Sequence, residues 1–284
     1  MIYSAFFENS MQLKTVSLQY IQFIMARLIF SFVCLIILIS CNNNEQDKAI
    51  PTQEKQLRDL ISKYPDSSML TENLIQYFRD NDQYNLAIAA TEPILKKDTL
   101  NDRFLVIKAT LLFENGDTTN AIKTFEKAIS INPKTTSIIT LGSLYAKTKN
   151  PFALELADAL LNNTTANAQK EAFYIKGLYF SNMGEKIKAI TFFNTCLKID
   201  YRDVFSYREK AICLYDLKKY NAAIDELKKA IAVQNTFDEG YYWMGRCYEK
   251  LEKYQEAIES YKFALQIDPD YEAAQIAMKN LQVK

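Results

Sequence analysis

There is no histidine among the 284 residues of this chain. That removes the usual general base near neutral pH, the commonest metal ligand and every Ser-His or Cys-His nucleophile pair. Sulfur is left as the most reactive element, in Cys34, Cys41, Cys196, Cys213 and Cys247. No two of these form a C-x-x-C pair, so a metal centre is not expected. The chain also lacks a Gly-rich phosphate loop and a nucleophile elbow. Carboxylates such as Glu249 and Glu252 fall where solvated helix faces are the default. The inventory predicts no catalytic residues, no cofactor and no metal; the chain is read as a non-enzyme. Its 34 basic residues balance 34 acidic ones, which argues against nucleic-acid binding or a polybasic membrane surface. Six glycines and six prolines are too few for the turns of a β-rich fold, while 18 Tyr and 17 Phe supply large packing groups.

The first forty residues address Cys41. Leu28 to Ile39 is an unbroken apolar or small run of 12 residues, preceded by Arg27 and followed by Ser40 and Cys41. As a helix it would span about 18 Å, against about 30 Å of bilayer core, which is too short for an ordinary spanning helix. A basic residue, a short apolar core and a small residue at the cut make a secretory signal peptide. The sequence Leu38-Ile39-Ser40-Cys41 resembles the lipobox of bacterial lipoproteins. The resemblance implies cleavage before Cys41, diacylglycerol on its sulfur and a further acyl chain such as palmitate on the new amino terminus. Two or more chains anchor stably where one is marginal. Asn42, in place of Asp, implies an outer-membrane address by enterobacterial sorting, on the periplasmic or the outer face. Met25-Ala26-Arg27 is a better start than Met1, so residues 1–24 are expected to lie upstream of the true start. Residues 25–40 form the signal and 41–51 a flexible tether.

Beyond the tether the sequence repeats every 34 residues. Tyr241, Gly245, Tyr248, Tyr254, Ala257, Tyr261, Ala264, Leu265 and Pro269 have counterparts one period earlier in Tyr207, Ala211, Leu214, Tyr220, Ala223, Leu227, Ala230, Ile231 and Asn235. A further period back stand Phe173, Gly177, Phe180, Lys186, Ala189, Phe193, Cys196, Leu197 and Tyr201. Six units tile residues 68–271, as 68–101, 102–135, 136–169, 170–203, 204–237 and 238–271. The third is slipped by about one residue, Pro151 opens its second helix, and the register is recovered in a loop from Asn162 to Gln169. Large and small residues recur at helical spacing, so each helix presents one apolar face. Small residues at the eighth and twentieth positions let two helices approach closely, and proline at the thirty-second stops the second helix. Residues 52–67 read as an N-terminal half-unit helix and 272–284 as a C-terminal capping helix.

This pattern is similar to the tetratricopeptide repeat family. The resemblance implies an all-α fold, a right-handed α-solenoid of six helix-turn-helix units with terminal capping helices. Successive units would stand about one helix diameter apart, roughly 10 Å, whereas a disulfide needs Cα atoms within about 7 Å. Cys196, Cys213 and Cys247 are therefore expected as buried, unbridged thiols. Tyr207, Tyr241, Tyr248 and Tyr261 fall on packing positions. The first helices of such stacks line a concave groove that holds a peptide or helix of another protein. Its positions give Phe113, Tyr174, Phe205, Arg208, Tyr215, Tyr242 and Arg246 as partner-binding residues, Tyr and Arg being the types that dominate interface energies. The family's carboxylate clamp needs Lys and Asn where this chain has Arg208 with Ile212 and Tyr242 with Arg246, so it is not expected. The resulting expectation is a non-catalytic scaffold or adaptor in the bacterial envelope, with another protein and the membrane as partners and no nucleic acid or small-molecule substrate. The alternative is a structural lipoprotein that self-assembles through its end units.

Overall fold

The computed structural model describes residues 53–162 and 165–282. The start at Met25, the signal segment, Cys41 and the tether lie outside the described residues. The chain divides into two units, Met1–Gln56 and Leu57–Lys284, and the architecture below is that of the second. The described residues contain helices and no strands. In chain order they are α1 (Gln53–Lys63), α2 (Ser68–Asp80), α3 (Tyr84–Lys97), α4 (Asp102–Glu114), α5 (Thr118–Ile131), α6 (Thr135–Lys147) and α7 (Phe152–Leu161). There follow α8 (Ala166–Asn182), α9 (Lys186–Ile199), α10 (Val204–Asp216), α11 (Tyr220–Val233), α12 (Asp238–Lys250), α13 (Tyr254–Ile267) and α14 (Glu272–Gln282). From α2 to α13 they pair as six antiparallel hairpins, each packed on the next, in an α-solenoid.

One backbone device sets the period. Each first helix ends in a residue with left-handed backbone, at Asp82, Gly116, Lys149, Gly184, Lys218 and Glu252, with φ between 55° and 86°. The N–H that follows reaches back five residues, from Gln83 to Phe78 O, Asp117 to Leu112 O, Asn150 to Tyr145 O, Glu185 to Phe180 O, Lys219 to Leu214 O and Lys253 to Tyr248 O, all at 2.8–3.0 Å. This is the Schellman closure, which satisfies carbonyls the helix end would otherwise leave bare. Five of the six positions keep the 34-residue spacing, and Lys149 comes one residue early, which is the slip of the third unit. Glycine occupies two of them at no steric cost, whereas an L side chain in this region costs about 1 kcal/mol or more. Lys218→Gly and Glu252→Gly should each stabilise the fold by about 1 kcal/mol, raising the melting temperature by a few degrees. Thermal melts followed by circular dichroism check this.

The second helices end by a means that differs from the expectation of a proline stop. Five of the six C-caps, Asp98, Asn132, Asp200, Gln234 and Asp268, are extended, whether or not proline follows, and the sixth, Asn162, stays helical. At Asp98, Asp200 and Asp268 the carboxylate accepts the N–H two residues on, at 3.0 Å. The Asx turn therefore ends the helix at Asp98 and Asp200, where no proline follows, and accompanies Pro269 at Asp268, while the extended Gln234 has neither.

The third hairpin compensates its slip in helix length. Its second helix, α7, has 10 residues where the other second helices have 14, and α8 has 17 where the other first helices have 13. Half of the loop expected from Asn162 to Gln169 is therefore helical. Thr165 caps it, its hydroxyl accepting Ala168 N–H at 3.2 Å, and Ala166 and Ala168 are strong helix formers.

Core packing follows a complementary size rule between the eighth and twenty-fourth positions. A Cβ added at Gly177 would lie 2.5 Å from the Phe193 ring, and one at Gly245 would lie 2.6 Å from Tyr261. Three of the other four units place Ala109 with Phe125, Ala211 with Leu227 and, with the sizes reversed, Ile75 with Thr91; all eight non-glycine residues of these five pairs are buried, while Gly142 of the slipped unit faces Ile175 of the next. Of the tyrosines expected in the core, Tyr261 is fully buried, while Tyr207, Tyr241 and Tyr248 are half-buried.

Cys196, Cys213 and Cys247 are buried free thiols. Burial pushes Cys196 and Cys247 up from an ordinary 9.0 to about 12, and Cys213 in the same direction. Burial likewise raises the phenols of Tyr145, Tyr174 and Tyr261 above 10.0. These groups hold their protons more tightly folded than unfolded. The stability they confer is complete below pH 9 and is lost progressively as pH rises from 9 towards the folded values, about 12 for Cys196 and Cys247. Urea midpoints should therefore fall steadily above pH 9, and a thiol reagent at pH 8 should label none of the three cysteines until urea unfolds the chain.

Candidate binding groove

The first helices α2, α4, α6, α8, α10 and α12 bring the expected site residues into two clusters and leave one residue apart. In the first cluster, Tyr174 on α8 sets its ring edge-on against Phe193, 5.8 Å between centroids. On α10, Phe205 is 52% exposed and packs edge-on against Phe237. The Arg208 guanidinium stands 5.2 Å from the Phe205 ring. In the second cluster, Tyr215 on α10 meets Trp243, and Tyr242 on α12 packs against Trp243, Tyr261 and Tyr271. Arg246 stands over Tyr215, Tyr242 and Trp243. Phe113 on α4 is half-buried under the Lys147 ammonium, 5.3 Å above its ring, and no ring contact or hydrogen bond joins it to either cluster.

Burial separates these residues by what they offer a partner. Tyr242 is only 9% exposed and is largely a packing residue. Arg208 is engaged within the chain: it binds Glu209 at 2.8 Å and Glu239 of the next repeat, with 17% of its side chain exposed. The same fifth-to-second-position bridge recurs with inverted sign between Glu72 and Arg103, at 2.6 Å. Arg79 is similarly closed by Glu114. Such charges clamp one repeat to the next, and their mutual neutralisation leaves them poor receptors for an outside anion. Among the carboxylates, Glu249 is no idle surface group, since its Oε1 accepts the Tyr261 hydroxyl at 2.9 Å. Glu252 is a turn residue with φ 59°, outside the helix.

Sequence reasoning missed the wall that α14 supplies. Glu272 lies 34 residues after Asp238, so α14 has the register of a seventh first helix. Its second, fifth and ninth positions, Ala273, Ile276 and Asn280, take groove positions. With Tyr242, Arg246 and Glu249 they line a cavity of about 800 Å³, which Lys279 and Leu281 also border. Ile276, 52% exposed, is its apolar surface. The signal was the same 34-residue period carried one step further. Among the described residues no group of three or more Cys, Asp or Glu side chains is placed to hold a metal. No helix among them is long and apolar enough to cross a membrane.

Tetratricopeptide repeat family models match residues 102–135, 170–203 and 239–271. The crystal structure of a tetratricopeptide repeat protein from Parabacteroides merdae has the same fold, with a TM-score of 0.68 at 19% identity, covering 81% of this chain and 91% of that one. Among curated proteins the chain is 22% identical over 195 residues to a DnaJ homolog subfamily C member 7 homolog of Schizosaccharomyces pombe. It is 27% identical over 122 residues to stress-induced-phosphoprotein 1 of Caenorhabditis elegans. Those matches cover 67% and 43% of this chain but only 36% and 37% of the relatives, so the chain spans well under half the length of either. Three hairpins match the tetratricopeptide repeat models and the others keep the same 34-residue register, so the chain carries tetratricopeptide repeats in a fold shared with the Parabacteroides merdae structure.

Proposed function

We propose that this chain is a non-catalytic adaptor, held in the bacterial envelope by lipid on Cys41, that binds a segment of another protein in its groove. Tetratricopeptide repeats mediate protein–protein interactions, and the observation that carries the reading here is the cavity between α12 and α14. It is concave, walled by aromatic and apolar side chains and edged by a few charged ones, as binding sites commonly are. The lipobox residues Leu38 to Cys41 support the anchor, and Asn42 supports the outer membrane as its address.

Self-assembly through the end units is the weaker reading. At the eighth position, where the hairpins place small or buried residues to admit a neighbouring helix, α14 carries Lys279, which is exposed. Stacking another copy's helix there would bury an ammonium without a counter-charge, at a cost of several kcal/mol.

The test is a pull-down from detergent-solubilised envelopes with the full lipidated chain as bait and Ile276→Lys alongside. A partner kept by the wild type and lost from the variant supports the groove. A partner kept by both moves the site elsewhere, and no partner at all favours self-assembly. Incorporation of an alkyne-labelled palmitate that Cys41→Ser abolishes supports the anchor; unchanged labelling overturns it.

A further inference from the structure

The first helices of the six hairpins carry four arginines, Arg79, Arg103, Arg208 and Arg246. Three are neutralised by a carboxylate of an adjoining repeat, Glu114, Glu72 and Glu239 respectively. Arg246 has no carboxylate within ion-pair distance among the described residues. Its Nη1 donates to Tyr242 Oη at 2.9 Å and its Nη2 to Tyr215 Oη at 3.5 Å, and its guanidinium carbon is 5.8 Å from three ring centroids. Two phenols use a minority of five N–H donors, and aromatic faces orient a cation without neutralising it. The carboxylate nearest in sequence on the cavity wall, Glu249, takes its hydrogen bond from Tyr261 instead. Arg246 therefore lines the cavity as a fixed positive charge, beside the apolar wall of Ala273, Ile276 and Leu281 and with Lys279 also at its border.

We infer that this cavity receives an acidic side chain, Asp or Glu, from an internal segment of the partner protein, with an adjoining apolar side chain seated on α14. The inference rests on the groove reading above and adds the partner's chemistry. A carboxylate matches the guanidinium fork in a two-point bond, which in a partly desolvated aromatic site is among the stronger polar contacts. The apolar neighbour follows from Ile276, which the described residues leave 52% exposed.

The chain carries its own reporter, because Trp243 is its one tryptophan and stands beside Arg246. The full chain is titrated with a peptide of leucines around a central Glu, acetylated and amidated at its ends, and Trp243 emission is followed. Saturable change with the Glu peptide, and binding at least tenfold weaker for its Gln counterpart, are expected. An Arg246→Gln chain, checked for fold by circular dichroism, should lose the preference for Glu while retaining weak apolar binding, and Arg246→Lys should recover part of it. Equal binding of the Glu and Gln peptides, an unchanged preference in Arg246→Gln, or no saturable change with either peptide overturns the inference. A free-carboxylate peptide with Gln at the centre that binds as well as the Glu peptide also overturns it, by moving the recognised group to a chain end. The two readings fail separately. A pulled-down partner lost from Ile276→Lys but kept by Arg246→Gln preserves the groove and removes the acidic contact.

Discussion

Phe193→Ala should destabilise the chain by about 3–5 kcal/mol, the cost of emptying a fully buried aromatic site. Phe193 has no exposed surface, and its ring fills the space that Gly177 leaves open. The first hairpin solves the same problem the other way round, with Ile75 at the eighth position and Thr91 at the twenty-fourth. A chain carrying Gly177→Ile and Phe193→Thr together should therefore recover a good part of the loss. Gly177→Ile alone should be severely destabilised, because its Cβ would begin 2.5 Å from a ring that has nowhere to go. Urea denaturation of the two single variants and the double gives the coupling directly. Additive costs would show that the pair of positions does not govern how closely the helices approach.

Arg208→Ala should cost about 3 kcal/mol, less for what the arginine contributes than for what its loss leaves behind. Glu209 is 15% exposed and Glu239 is 37% exposed, so removing the guanidinium strands a largely desolvated carboxylate on α10. Converting Arg208→Met with Glu209→Gln should be much milder, since the carboxylate that remains, Glu239, is the better solvated of the two. Equal losses in the single and double variants would refute this account. Arg208 is consequently a poor probe of binding, because a lost partner could report a loosened repeat junction. The exposed Phe205 and Ile276 are better places to test recognition.

The hairpins were legible because the 34-residue period records contacts that every unit must make. Gly177 and Gly245 announce close approach through their size alone. The left-handed turns were not legible, since Asp82, Lys149, Lys218 and Glu252 stand there without the glycine that would mark them. Asp98, Asp200 and Asp268 form a periodic signal of their own, but a carboxylate in a polar turn has too many other uses to be singled out. At the groove, the register tells which residues face inward but not which of those are already engaged. That Arg208 is taken by Glu239 depends on a bridge between repeats, and only its recurrence in Glu72 and Arg103 gives it away. Arg246 and Arg208 look alike in the sequence, and the difference between them lies in their neighbours.

Among the described residues, the hydrogen bonds that join side chains of different repeats connect residues 16 to 35 apart, from Lys108 with Glu92 to Arg79 with Glu114. No hairpin waits for a distant part of the chain. Loop closure is therefore brief at every stage, and low contact order favours fast folding. A chain that emerges N-terminus first, from a ribosome or a translocation pore, has a partner for each hairpin as soon as the next has cleared the exit. Assembly can then keep pace with delivery, adding one hairpin at a time, and only the most recent unit is ever left with a bare apolar face.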